Sequence, residues 1–285
     1  MTRSISGATR TACVIGSPIS HSLSPAIMNA AFEATGLDWL FTAFDVEIGR
    51  HAGALDAMRA LRMAGMLVTM PHKAGCAASV DRLTQTAERF GAVNCVFWDG
   101  DDLVGDSTDG DGLIRGLRVD HEVTVEGRRV GVIGAGGAAR SIIDALARHG
   151  AAEIVVVNRS EGSARSAAEL AGDVGRVGVA SDLSASDVVI NATPIGMGTD
   201  RGEGGTEMPC DPAFLRANQV VVDIVYHPLE TAWLAAARGS GALGVDGLSM
   251  LIGQACVAFE RWTGCDAPAV VMRAGAERQL AETAT

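Results

Sequence analysis

The sequence predicts an α/β protein of two domains, the second built on a six-stranded parallel sheet, and three observations carry that prediction. The chain has 285 residues, against roughly 150 for an average domain. It holds 35 glycines and only 4% aromatic residues within a 48% hydrophobic composition, which suits apolar strands alternating with helices better than an aromatic-rich β-sandwich. Between residues 129 and 245, short β-branched runs alternate with helical spacings, the pattern of a parallel sheet covered on both faces.

In the first block, Thr11–Ile15 reads as a strand. Ser24-Pro25 then starts a helix, because a serine hydroxyl can cap free amides and proline is tolerated in the first turn. That helix runs to Thr35 and ends at Gly36. Trp39–Val46 is a second strand, and apolar residues at 54, 55, 58 and 61 set a helical period over His51–Met63. Met66–Met70 is a short strand stopped by Pro71. Asp81–Phe90 reads as a helix closed by Gly91, and Ala92–Trp98 as extended chain. A turn at Asp99–Asp102 leads to a return strand at Leu103–Asp106.

In the second block, strands are expected at Arg129–Ile133, Glu153–Val157, Val177–Val179, Asp187–Asn191, Gln219–Ile224 and Ala242–Val245. Gly198–Gly205 is a glycine-rich loop, expected to be mobile. Leu248–Trp262 and Pro268–Ala281 read as two helices that return to the first block, since the second sheet is already complete. The expected division is a substrate domain over residues 1–118, completed by 248–285, and a second domain over 119–247.

A net charge of −11 disfavours nucleic acid and anionic membranes, both of which need a positive footprint. No apolar run approaches the roughly 18 residues of a membrane span, and residues 1–10 lack a signal-peptide apolar block. The expectation is a cytoplasmic protein, monomer or homodimer, with a small-molecule partner. Cysteines at 13, 76, 95, 210, 256 and 265 form no C-x-x-C and lie beside no histidine at metal spacing. They are expected to be buried thiols, and no metal is expected.

The chemistry starts at Gly134-Ala135-Gly136-Gly137-Ala138-Ala139, a G-x-G-x-x-A pattern between a strand and a helix. The first glycine permits a tight turn, the second admits a pyrophosphate to the backbone, and the small third residue lets helix and strand pack. A helix from about residue 138 to 149 aims its free amides at the phosphates. With a second strand ending at Val157, this is a Rossmann-type dinucleotide-binding unit. That next strand ends in Asn158-Arg159-Ser160 rather than in an acidic residue. An arginine there suits a ribose 2′-phosphate, so the cofactor expected is NADP, with Arg165 assisting from the following helix.

In the first block, Thr69 and Lys73 follow a buried strand, where α/β folds assemble active sites. Asn94 and Asp109 add an amide and a carboxylate in turns of the same block. Each has a bland reading: a solvated lysine, a loop-satisfying asparagine, an aspartate capping the helix after it.

Taken together, the motifs resemble the shikimate dehydrogenase family over residues 12–264. They are Ser22-Leu-Ser24-Pro, Val68-Thr69-Met-Pro-His-Lys73, Gly91-Ala-Val-Asn94, Thr108-Asp109-Gly, the glycine loop with Asn158-Arg159-Ser160, and Gly247-Leu-Ser-Met250-Leu-Ile-Gly-Gln254. The resemblance implies two α/β domains with a cleft between them, and reversible reduction of 3-dehydroshikimate to shikimate with NADPH. It implies that Ser22 and Ser24 bind the substrate carboxylate with help from Tyr226, and that Thr69, Asn94, Asp109 and Gln254 hold the ring oxygens. It implies that Asn191-Ala-Thr193-Pro, Ile224 and Gly247 line the nicotinamide side, joined by Met250. Lys73 is the implied acid/base and Asp109 its partner. A lysine ammonium carries a donatable proton at neutral pH. His21 and His72 read as rim or structural residues.

Three positions depart from the family's commoner pattern: Leu67 and Ser107 where asparagine is usual, and Cys95 where threonine is usual. They keep open a paralogue acting on quinate, an aminated shikimate or another cyclic hydroxy acid. A third reading, from another class, is a non-catalytic NADP-binding sensor, which would have no need of Lys73 and Asp109 together.

Overall fold

The computed structural model describes residues 5–198 and 205–283, so 199–204 of the glycine-rich loop lie outside the described residues. The chain divides into two compact units: residues 1–108 with 254–285, and residues 109–253.

The first unit contains β1 (Arg10–Gly16), α1 (Ser24–Ala34), β2 (Trp39–Asp45), α2 (His51–Ala60), β3 (Gly65–Val68), α3 (Lys73–Ala77), β4 (Arg82–Leu83), α4 (Gln85–Phe90), β5 (Cys95–Asp99) and β6 (Asp102–Asp106). They form a mixed sheet in the order β2-β1-β3-β5-β6-β4, parallel across β2, β1 and β3 and antiparallel across β3, β5 and β6. One face of it closes over Leu55, Met58, Met66, Val68, Val96 and Leu103.

The second unit opens with α5 (Asp109–His121) and continues through β7 (Arg129–Ile133), α6 (Gly137–Arg148), β8 (Glu153–Val157), α7 (Glu161–Ala168), β9 (Gly175–Val177), β10 (Val188–Asn191), β11 (Val220–Asp223), α8 (Ala232–Gly239) and β12 (Leu243–Val245). All six strands are parallel, in the order β12-β11-β10-β7-β8-β9. Read from the other edge, this is the strand order of a full dinucleotide-binding domain. Val130, Val132, Ile154, Val156, Val189 and Val221 are fully buried, as parallel strands covered on both faces require.

Helix α9 (Gly247–Thr263) contributes residues to both units, and α10 (Ala269–Thr283) packs on α1 in the first. In the second unit, backbones of α9 and α5 touch. A Cβ on Gly253 would lie 2.0 Å from the Gly112 carbonyl oxygen, and one on Gly116 2.5 Å from that of Ser249. In the first unit, Trp262 Nε1 donates to the Val96 carbonyl at 3.1 Å, and the indole fills the space beside Gly65.

Several local expectations are corrected. Ser24 is not a helix cap: Leu23 occupies that position, no side chain caps the helix, and the Ser22 hydroxyl accepts the Ser24 N–H at 3.3 Å. Asp81–Phe90 is not one helix. Arg82–Leu83 pair with Val104–Gly105 as a strand, and the helix begins only after Thr84, whose hydroxyl caps the Ala87 N–H. The helix from His51 stops at Ala60, and Arg62 turns left-handed at φ 53°. Helix α3 is too short for periodicity to reveal. Cys265 is exposed and Cys210 only partly buried, unlike the fully buried thiols of Cys13, Cys76, Cys95 and Cys256, and no disulfide joins any of the six.

Among the described residues, no helix is long and apolar enough to cross a membrane. None of their His, Cys, Asp and Glu side chains gather in threes that could hold a metal ion.

Candidate active site

Backbone hydrogen bonds of the first unit hold Thr69 and the segment leading to Lys73 at the carboxyl ends of β1 and β3. Thr69 N–H donates to Ile15 O at 2.9 Å, Ser17 N–H to Met70 O at 3.0 Å, and Val93 N–H to Lys73 O at 3.0 Å. Gly16 is required there, because a Cβ would lie 2.5 Å from Thr69 Cγ2. Lys73 is the half-buried first residue of α3. The residue before it, His72, is buried, and its Nε2 lies 2.7 Å from the Val46 carbonyl, which ties the loop to the end of β2. His72 is therefore a structural anchor, while His21 is exposed.

Asn94 is buried, and its Nδ2 donates to Thr108 Oγ1 at 3.0 Å and to Gln254 Oε1 at 3.4 Å. Its Oδ1 accepts the Thr108 N–H at 2.7 Å. Ser22, Ser24 and Gln254 are also buried, whereas Thr69 is half-exposed. The first unit thus holds the candidates Ser22, Ser24, Thr69, Lys73, Asn94 and Gln254, a set of hydroxyls, amides and one ammonium suited to a small, oxygen-rich anion.

Asp109 and Tyr226 belong to the second unit. Asp109 is the buried first residue of α5 rather than the residue before it, and its neighbour Gly110 donates its N–H to Ser141 Oγ at 2.9 Å. Burial raises the Tyr226 phenol above its ordinary pKa.

The second unit also carries the glycine loop. Sheet order reverses between β7 and β10, and a crevice at such a reversal, outside the carboxyl ends of the strands, takes a dinucleotide. Gly134 sits at φ 116°, where a side chain would also meet Ala192 O at 2.9 Å and Thr193 Cγ2 at 3.0 Å. Gly136 is exposed with open space before its α-carbon, and no side chain caps the amides of α6. Ala135, Gly137 and Ala138 are partly open, and Ala139 is buried against the sheet. An uncapped helix start behind an open glycine loop is a favourable place for an anion.

Beyond β8, Asn158 Nδ2 donates to Ser160 O at 3.0 Å, and Ser160 caps α7 by accepting the Ser163 N–H. Arg159 is exposed, with no ion pair among the described residues. Arg165, expected to assist, is paired with Glu161 at 2.6 Å. On the other side of the crevice, Ile224 N–H donates to Asn191 O at 3.1 Å. Gly247 must be glycine, because a Cβ would lie 2.4 Å from Ile224 O. Met250 is buried in α9. The sequence reading missed Asp223 and Thr231, which lie under this side; an aspartate ending an all-valine strand was their one signal.

Models of known families match three stretches of the chain. Residues 14–96 match the shikimate dehydrogenase substrate binding domain, 118–197 match shikimate / quinate 5-dehydrogenase, and 247–274 match the shikimate 5'-dehydrogenase C-terminal domain. A shikimate dehydrogenase (NADP(+)) of Geobacter metallireducens is 40% identical, over 94% of this chain and 96% of its own length. The crystal structure of Thermus thermophilus shikimate 5-dehydrogenase with NADP(H) and shikimate superimposes with a TM-score of 0.87 at 31% identity, covering 94% of this chain and 99% of that one. A ligand-free 5-ketofructose reductase of a Gluconobacter strain superimposes with a TM-score of 0.87 at 30% identity, covering 96% and 100%.

Proposed function

The chain belongs to the shikimate dehydrogenase family, and from that premise we propose that it is an NADP-dependent oxidoreductase interconverting 3-dehydroshikimate and shikimate. The observation that carries the reading is that one chain holds both an open glycine loop before the uncapped helix α6, with Arg159 beyond the next strand, and, in its first unit, Lys73 together with the buried polar side chains of Ser22, Ser24, Asn94 and Gln254.

The second unit's residues fit the cofactor. The backbone around Gly134, Ala135, Gly136, Gly137 and Ala138 would hold the pyrophosphate against the α6 amides, and Asn158, Arg159 and Ser160 would hold the adenosine end with its 2′-phosphate. Thr193, Ile224, Gly247 and Met250 would line the nicotinamide side. When bound, NADPH supplies the hydride.

In the substrate, the carboxylate would accept hydrogen bonds from Ser22, Ser24 and Tyr226. Thr69, Asn94, Asp109 and Gln254 would orient the ring oxygens. As the ketone carbon gains a hydride its oxygen becomes an alkoxide, and the Lys73 Nζ delivers the proton that neutralises it. In the oxidation of shikimate, the same nitrogen takes that proton back. Asp109 is assigned as its partner carboxylate.

The test is direct. Purified protein with shikimate and NADP should generate NADPH absorbance, and should do so far faster than with NAD. A protein that binds NADPH but leaves shikimate untouched would contradict the assignment.

A second reading, a paralogue acting on quinate, an aminated shikimate or a related hydroxy acid, is favoured by buried Leu67 and Ser107, which stand where the family usually has asparagine. The same assay with quinate and aminoshikimate separates the two by kcat/KM.

A further inference from the structure

A cluster of polar side chains is sealed beneath the carboxyl ends of β10 and β11. Asn191 and Asp223 end these adjacent strands at the same register, and neither is exposed. Asn191 Nδ2 donates to Asp223 Oδ1 at 2.9 Å and to the Ile195 carbonyl at 3.1 Å. Its Oδ1 accepts from Thr193 twice, from the N–H at 3.0 Å and from the hydroxyl at 2.6 Å. Asp223 Oδ1 also accepts the Val225 N–H at 3.1 Å, and Oδ2 accepts the Thr231 hydroxyl at 2.8 Å. Thr231 then caps α8 by accepting the Leu234 N–H at 3.2 Å.

One carboxylate therefore joins residues 193–195, residues 224–225 and the start of α8. Its hydrogen bonds come from neutral donors only, and no described charged side chain is paired with it. Burial pushes Asp223 up to about 6. An ion held at such a cost in desolvation is a poor device for stability, which directs attention to the geometry it imposes. That geometry belongs to the crevice where sheet order reverses. A dinucleotide whose pyrophosphate lies on the glycine loop and whose adenosine reaches β8 sends its other half over β10 and β11.

We propose that Asp223 is a positioning residue for the nicotinamide end of the cofactor: through Asn191 and Thr231 it locks residues 193–195 against 224–225 and so sets the ring's pose for hydride transfer. This rests on the NADP-dependent reading above. Proton arithmetic makes it testable. Oδ1 faces two N–H groups that cannot accept, so a proton must enter on Oδ2, and the Thr231 hydroxyl would have to turn from donor to acceptor. Asp223→Asn imposes the same reversal while keeping volume.

Steady-state kinetics of wild type, Asp223→Asn, Thr231→Val and Thr231→Ser with shikimate and NADP, with the primary deuterium isotope effect, test the proposal beside the fluorescence of bound NADPH. That emission reports the surroundings of the nicotinamide ring and should change in Asp223→Asn, while the dissociation constant of NADPH stays within about threefold. Asp223→Asn should lower kcat roughly tenfold through misplacement of the ring. Its KM for NADP should stay within about threefold, because the phosphate and adenosine contacts lie elsewhere. The isotope effect should rise as hydride transfer becomes limiting. Thr231→Val should move both readings the same way by less, and Thr231→Ser should restore them. Wild-type kcat should fall as pH drops through about 6, a limb that Asp223→Asn lacks.

An Asp223→Asn variant with unchanged kcat and isotope effect, or with the acidic limb intact, overturns the proposal while wild-type turnover stands. If that variant does not fold, a Thr231→Val variant indistinguishable from wild type overturns it. A wild type that neither quenches with NADPH nor turns over shikimate overturns the parent reading, and this one with it.

Discussion

Asn94 holds Thr108 at two points: its Oδ1 accepts the Thr108 N–H at 2.7 Å, and its Nδ2 donates to the Thr108 hydroxyl at 3.0 Å. Both residues are buried, so a side chain assigned to the substrate also fixes the backbone that leads into Asp109. Asn94→Ala should therefore lose stability as well as substrate affinity. The stranded Thr108 N–H costs about 1–3 kcal/mol. Thr108→Val keeps that N–H bond and should cost about 1 kcal/mol, with a smaller rise in KM for shikimate. Thermal unfolding beside kinetics checks this, and an Asn94→Ala variant as stable as wild type would remove the structural half of the role.

Lys73 begins α3 next to an anchored His72, so its truncation should leave the surrounding loop in place. Lys73→Ala is expected to lower kcat by roughly 10²–10⁴-fold, the usual contribution of a general acid. NADPH affinity, read by fluorescence, should stay at the wild-type level. Near-normal turnover in this variant would take the proton-transfer role away from Lys73.

Arg159 is exposed and without an ion pair among the described residues, so its guanidinium is available for a 2′-phosphate. Arg159→Ala should cut the ratio of kcat/KM with NADP to that with NAD by roughly 10- to 100-fold, the worth of charge-assisted hydrogen bonds. Arg165→Ala should change it far less, since Glu161 already holds that side chain. An unchanged ratio in Arg159→Ala would sink the assignment.

Gly253 lets α9 lie on α5 with its α-carbon against the Gly112 carbonyl. A methyl group there would meet that oxygen at 2.0 Å, and neither backbone can yield without moving a helix. Gly253→Ala should cost about 1–3 kcal/mol. Gly162→Ala, where nothing lies within 4 Å, is the control and should be neutral or stabilising. Equal melting temperatures for the two would contradict the close crossing.

Asp223 also makes stability depend on pH in a direction opposite to most carboxylates. Its pKa is raised by burial, from 3.8 to about 6, so the folded protein holds this proton more tightly than the unfolded chain. The contribution is full below about 4, is lost as pH rises through about 6, and is constant above. The loss is on the order of 2–3 kcal/mol. Relative to wild type, Asp223→Asn should gain unfolding free energy between pH 4 and pH 6 and gain nothing further above pH 7. Asp182, lowered by the Val179 N–H and Arg176, works the other way and loses its contribution as pH falls. A difference between variant and wild type that is flat across this range would mean that Asp223 carries its charge at no cost.

Legibility from the sequence follows the source of order in each segment. The strands of the second unit stand out because burial on both faces demands unbroken apolar runs such as those of β8, β10 and β11. Arg82–Leu83 has no such pattern, because only pairing with β6 makes it a strand. Ser24-Pro25 signals a helix start one residue off, because the cap position fell to Leu23.

For the site, residue types and spacing pointed to the glycine loop and Arg159, since each answers a local chemical demand, a tight turn and a phosphate, whereas the roles of the Ser22-to-Gln254 series came from the resemblance to the family. Which of these share hydrogen bonds is a matter of three dimensions. Asn94 and Gln254 are 160 residues apart yet their side chains meet. In the sequence Asp223 is one more residue of the strand read over Gln219–Ile224; in the fold β10 sets Asn191 beside it and Thr231, at the start of α8, reaches its other oxygen. The sequence by itself determined the chemistry on offer; tertiary structure decided which groups are buried together, because desolvation and hydrogen-bond geometry depend on neighbours that only the folded chain supplies.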